Sequence, residues 1–194
     1  MGYELLRSNR NYRLILSSSV VANLGDGVVA VAMPWLATLL TRDPMMIAAV
    51  AMAGRLPWFL FALPAGVWTD RVDRRLLMIR ADAVRLALML GVVGLTLSIP
   101  VSPIAPGSEI GLMATLAAIA FLLASAEVVR DNAAQTVLPS IVARESLERA
   151  NGQMWSAEQV MGRFVGPPLA GVLIAAGIAV PFGVNTATLS LSIG

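Results

Sequence analysis

Gly66-Val67-Trp68-Thr69-Asp70-Arg71-Val72-Asp73-Arg74-Arg75 is the stretch that decides how the rest of this chain is read. It places five charged residues in the six positions from 70 to 75, directly between two long apolar runs. A bilayer core of about 30 Å needs roughly 20 apolar residues in a helix, so a cluster of this kind sits at a water interface with a span on either side.

Composition agrees. The chain of 194 residues is 57% hydrophobic and 13% charged, with a mean hydropathy of +0.76, which are the proportions of a membrane protein. Cysteine and histidine are absent, so no disulfide framework, thiolate metal site or imidazole-based catalytic constellation can be built, and no metal-ligand cluster is visible. All 14 basic residues are arginines, and without lysine there is no Walker A loop and no ATP site of that kind. These absences argue against an enzyme and predict no cofactor. The pI of 9.9 raises nucleic acid as a partner, but most arginines flank apolar spans, which fits a membrane-orientation signal better than a phosphate-binding face.

Working outward from residues 66–75, six spans are predicted, at 14–41, 45–68, 76–99, 109–135, 153–176 and 180–194. The turn Thr41 to Pro44 separates the first two, and Pro100, Pro103, Pro106 and Gly107 separate the third from the fourth. A polar loop from Ala143 to Asn151, with the composition of a short surface helix, precedes the fifth. The last 15 residues reach only about 22 Å as a helix, so the sixth span is expected to be truncated. Ten arginines fall on the N-terminal leader and on the second-to-third and fourth-to-fifth connections, against Arg42 alone on the other side. The positive-inside rule therefore predicts a multi-pass protein of the plasma (inner) membrane with a cytoplasmic N-terminus.

Three charges, Asp26, Arg55 and Arg163, fall near the middle of spans. A central charge costs about 2.5–3.5 kcal/mol on the insertion scale, so these should face a polar cavity or one another. Asp26 is either a coupling carboxylate or one member of a structural ion pair, with Arg55 and Arg163 as counter-ions or contacts for an anionic substrate. Asp82 and Arg85 stand three apart on one helical face, as do Glu127 and Arg130. The first couplet reads as a supporting pair for the charged loop. Gly162 and Gly166 permit close helix approach, and Pro167 and Pro168 remove two backbone donors.

The spacing Gly66-x-x-x-Asp70-Arg71-x-x-Arg74-Arg75 resembles motif A of the major facilitator superfamily, and the form with Asp73 is similar to its drug-exporter branch. Gly162-x-x-x-Gly166-Pro167-x-x-x-Gly171 resembles motif C, the antiporter signature of the same branch, with Ala170 where glycine is common. Arg130 is similar in placement to the arginine of motif B. Leu138-Pro139 and Ala150-Asn151-Gly152 resemble the macrolide-exporter-like members. The resemblance implies an all-α membrane fold: the N-terminal six-helix half of a transporter, two three-helix inverted repeats, with the C-terminal half missing. It also implies a secondary transporter that exports drugs or other small amphipathic molecules, coupled to protons or sodium. Gating is then expected from Gly66, Asp70, Arg71, Asp73, Arg74 and Arg75, and helix packing from Gly162, Gly166, Pro167 and Gly171. Coupling or substrate contact falls to Asp26, Arg55, Glu127, Arg130 and Arg163. The alternatives are transport of one metabolite such as a siderophore or sugar, the membrane subunit of an ATP-driven pump, and a non-transporting fragment.

Overall fold

The computed structural model describes residues 4–61, 72–98 and 109–193. Among them the chain is helical, without strands: α1 Glu4–Ser8, α2 Arg10–Leu40, α3 Pro44–Ala53, α4 Arg74–Ser98, α5 Glu109–Ile141, α6 Leu147–Ala157, a π-helical segment Glu158–Val165, α7 Gly166–Ala176 and α8 Val180–Ile193. Four continuous helical stretches are long and apolar enough to cross a membrane: Arg10–Leu40, Pro44–Phe61, Glu109–Ile141 and Arg144–Ala176. α4, 25 residues, covers the third predicted span as far as Ser98, and α8, 14 residues, covers the sixth from Val180 to Ile193.

Helix ends follow local chemistry. The Asn9 side chain caps α2 by accepting from the Tyr12 amide at 3.0 Å. Asp43 caps α3 in the same way through the Met45 amide at 2.8 Å, with Pro44 as its first residue. α3 pauses at Gly54-Arg55, because Pro57 cannot donate to the Ala53 carbonyl, and the helix resumes to Phe61. Gly177, at φ 154°, makes the turn between α7 and α8 that a side chain would resist.

The predicted boundaries shift in three places. The first span begins at Arg10 rather than 14, and the fourth continues through Pro139 to Ile141 rather than stopping at 135. The polar segment from 143 to 151, read as a loop with the composition of a short surface helix, is a 3₁₀ turn, Arg144–Ser146, followed by helix from Leu147 that runs on into the fifth span. Burial drives this last change: Ala150, Leu147 and Met154 close a small core with Tyr12, Leu138 and Val142.

α2 is the hub, packed against α3, α5, α6, the π segment, α7 and α8, while α4 fits between α5 and α8. Along α2 the interior changes character. Tyr12 lies in the small apolar core at one end, and Ala32 to Leu40 join the main core with Met89, Val92, Leu116, Phe182 and Leu189 at the other. Between them lies a polar layer, starting at Ser19 and Asn23. Large side chains such as Phe59, Phe164 and Leu97 point outward, as expected of surfaces that meet lipid chains.

Three of the arginine-rich segments gather at one end of the bundle. The Tyr12 hydroxyl donates to Gln153 Oε1 at 2.7 Å, Asn9 donates to the Ile141 carbonyl at 2.5 Å, and Arg74 donates to the Thr136 carbonyl at 3.0 Å. The N-terminus, the start of α4 and the α5–α6 connection thus share a face.

Candidate functional site: a buried charge chain between two cavities

The polar layer is built from residues that each helix presents once or twice. α2 contributes Ser18, Ser19, Asn23 and Asp26, α4 contributes Asp82 and Arg85, α5 contributes Glu127, Arg130 and Asp131, and α8 contributes Asn185 and Ser192. Asp26 reaches the centre because Gly25 and Gly27 flank it. A Cβ at Gly25 would meet the Asn185 amide nitrogen at 2.7 Å, and one at Gly166 would lie 2.6 Å from Gly27 Cα. Only glycines let α7 and α8 close on α2 at this level.

Ion pairs link five of these residues in a row. Asp26 pairs with Arg85, and Arg85 donates to Asp82 at 3.2 Å. Asp82 faces Arg130 Nε at 3.8 Å, and Arg130 donates to Asp131 at 3.1 Å. Ser192 donates to the second oxygen of Asp82 at 3.0 Å, and the Arg130 guanidinium reaches Ser18 and Ser19 at 3.3 Å each. Side chains in the middle are almost fully enclosed, 3% exposed for Arg85 and Asp82 and 2% for Arg130, whereas the end carboxylates Asp26 and Asp131 keep 17% and 16%.

Each end opens on a different space. Asp26 lies in the wall of a cleft of about 460 Å³, with Glu127, Arg55, Arg163 and Asn185 and with apolar Val29, Met33, Met89 and Leu123. Asp131 lines a second cavity of about 210 Å³ nearer the N-terminal end, with Gln135, Asn151 and Trp155. Glu158 and Asn23 border both.

The arrangement departs from the sequence reading in its pairings. Arg55 and Arg163 are expected as counter-ions of Asp26 or as contacts for an anionic substrate; the ion-pair partner of Asp26 is Arg85, because the α4 face that carries the Asp82–Arg85 couplet turns inward toward α2. Arg55 stands at the pause in the 44–61 helix and lines the cleft. The Arg163 side chain is 69% exposed and sits 3.7 Å from Glu158, five residues back, a spacing that one π-helical turn brings to one face. Arg130, expected to stand with Glu127, turns to Asp82 and Asp131 instead. Glu127 makes no hydrogen bond or ion pair among the described residues.

Of the residues at 162–171, Gly166 lies against Gly27, and a Cβ on Gly27 would collide with the Gly162 carbonyl. Gly171 faces open space, so it makes no close approach here. Pro167 and Pro168 leave the carbonyls of Arg163 and Phe164 without α-helical donors, and the preceding turns shift register: the Gly166 amide bonds Met161, five back. Of the charged loop, Gly66, Asp70 and Arg71 lie outside the described residues. Asp73 caps α4 through the Leu76 amide at 3.1 Å, Arg74 is tied to Thr136, and Arg75 lies in the first turn of α4.

Sequence reasoning missed Ser18, Ser19, Asp131, Asn185 and Ser192. The signal was present for the last two, which are polar and seven apart in an apolar run, two turns on one face. Among the described residues, no group of three acidic, His or Cys side chains is placed to hold a metal ion.

Comparison with known proteins completes the picture. Residues 5–193 match the family described as transmembrane secretion effector. The chain is 31% identical over 164 residues to the multidrug efflux pump Tap of Mycolicibacterium fortuitum, covering 84% of this chain and 38% of that protein. It is 33% identical over 164 residues to the multidrug efflux pump Tap of Mycobacterium tuberculosis (strain ATCC 25618 / H37Rv), covering 84% of this chain and 37% of that one. The chain therefore spans well under half the length of these curated relatives. No solved structure matches it significantly.

Proposed function

Because this chain belongs to the transmembrane secretion effector family of the major facilitator superfamily, membrane transporters and not enzymes, we propose that it is the N-terminal half of a proton-coupled exporter of small amphipathic molecules. In this reading the bundle has six spans in two inverted repeats, the N-terminus is cytoplasmic, and a C-terminal half completes the path. The cleft is the substrate side of the machine, and the charge chain is the proton side.

The observation that carries the proposal is a charge imbalance. Asp26, Asp82 and Asp131 supply three carboxylates to the chain, and Arg85 and Arg130 supply two guanidiniums. With all five ionised the row holds one negative charge in excess inside a low-dielectric bundle, so one proton restores neutrality there. The end carboxylates are the ones open to a cavity and therefore the ones that can exchange it. When Asp26 takes the proton, Arg85 is left to Asp82 alone, and the attraction that draws α2 to α4 weakens. A local protonation thus biases how two helices pack, which is the coupling an alternating-access transporter requires. Arg74, tied to the end of α5, and Asp73, capping α4, serve as the cytoplasmic latch with Asp70 and Arg71.

Ligand-driven proton release tests the reading. The chain in detergent, in weakly buffered solution with a pH indicator, is titrated with an amphipathic protonated amine. Binding is expected to release about one proton per chain in the wild type and none in Asp26→Asn. Binding without proton release in the wild type would refute proton coupling.

A further inference from the structure

The row of ion pairs joins the two cavities as charge, but it cannot hand a proton from one to the other. Between Asp26 and Asp131 stand two guanidiniums, Arg85 and Arg130, each set between carboxylates. A guanidinium stays protonated in a protein and has no acceptor site for a further proton. Asp82, between the two arginines, is enclosed and lines neither cavity. A proton taken up at one end of the row therefore stays at that end, and passage between the two spaces needs a second route.

Among the described residues, Asn23 and Glu158 alone line both the cleft and the smaller cavity. Asn23 is buried, its amide donates to the Ser19 carbonyl at 2.8 Å, and an amide does not titrate. Glu158 is a carboxylate, and its side chain is 33% exposed. It is loosely held. Arg163 Nη2 stands 3.7 Å from its Oε1, beyond hydrogen-bond reach, and Gln159 donates to the same oxygen at 3.5 Å. The charges that act on it come from both sides: Arg163, which lines the cleft, and Asp131, which lines the smaller cavity. The π-helical turn sets this placement. In α-helical register residues five apart would point about 140° away from one another, whereas one π turn brings Glu158 and Arg163 to a common face.

We propose that Glu158 carries the coupling proton between the two cavities, past the arginines that the row cannot pass. One O–H bond breaks on a donor water or carboxylic acid in the smaller cavity as one forms on the Glu158 carboxylate. The proton then leaves to an acceptor on the cleft side, where Asp26 stands, and no other reactant is consumed. Both spaces have the polar lining and the volume that chains of water need. The inference rests on the exporter reading and deepens it: the row holds the charge, and Glu158 moves the proton.

Proton flux through the chain alone tests it. The chain is reconstituted in liposomes with a pH dye in the lumen, and a potassium gradient with valinomycin drives protons inward. Because the half-bundle lacks the opposite wall that would make passage conditional, wild type is expected to acidify the lumen faster than protein-free liposomes do. Glu158→Gln, which keeps the shape but carries no proton, should slow the chain-dependent flux about tenfold or more, and Glu158→Asp should retain most of it. A merely structural role would instead show in the thermal unfolding midpoint, which Glu158→Gln should leave unchanged, since the pair it loses is open to solvent. If Glu158→Gln does not insert, Glu158→Ala makes the same comparison. Wild-type flux no greater than that of lipid alone, or flux undiminished in Glu158→Gln, would overturn the carrier role. Ligand-driven proton release remains the separate measure of the exporter reading: release intact with flux indifferent to Glu158 refutes this inference alone, and release absent in the wild type refutes both.

Discussion

At the scale of single residues, the charge chain behaves as a set of unequal members. Arg85 touches two carboxylates, and Arg130 faces two more contacts of the same kind, so removing either guanidinium strands buried negative charge. Breaking a buried pair by deleting one partner costs about 3–5 kcal/mol. Asp26 is different, because its loss leaves two carboxylates matched to two guanidiniums. Arg85→Gln is therefore expected to lower the thermal unfolding midpoint in detergent severely, and Asp26→Asn only slightly, with Asp26→Asn partly rescuing the Arg85→Gln chain. Equal destabilisation by the two single substitutions would show that the pair is purely structural. The sequence made Asp26, Asp82, Arg85, Glu127 and Arg130 visible, since charges inside apolar runs are conspicuous. It showed the local Asp82–Arg85 couplet but not the pairs between helices. Pairing depends on how α2, α4 and α5 are rotated about their axes, and that rotation is set by packing on other helices.

At the scale of elements, the decisive contact is glycine on glycine. Gly27 of α2 meets Gly162 and Gly166 so closely that a methyl group on Gly166 would fall on the Gly27 backbone, which cannot move aside as a side chain can. Overpacking of this kind costs about 1–3 kcal/mol. Gly166→Ala should lower stability by that order, while Gly171→Ala, with open space around it, should be near neutral. Thermal unfolding of the two variants side by side decides the matter, and comparable losses from both would overturn the packing assignment. The small-residue spacing and the Pro167-Pro168 break were legible in the sequence as devices for approach and bending. That the partner is the residue beside Asp26, and that the break takes the form of a π-helical segment, was not. Both follow from where Glu158–Val165 lands on α2.

At the scale of the whole molecule, the charge chain and cleft lie in a bundle whose relatives are far longer than this chain. Under the half-transporter proposal the cleft lacks its opposite wall, and alternating access has nothing to rock against. The 194-residue chain reconstituted alone in proteoliposomes is then expected to show no pH-gradient-dependent drug flux. Robust gradient-driven flux from it would defeat the half-molecule proposal and point to pairing of two copies. What the sequence determined by itself is the class of molecule: an apolar, lysine-free and cysteine-free chain whose charges cluster between spans belongs in a bilayer, because hydrocarbon tolerates only helices that satisfy their own backbones. It also marked which side chains are too costly to face lipid. What only the tertiary structure decided is the use made of them. Five residues from three helices form a row that joins two cavities. Those relations run between residues up to 174 positions apart, as in the Ser18–Ser192 contact, and no local pattern encodes a distance of that kind.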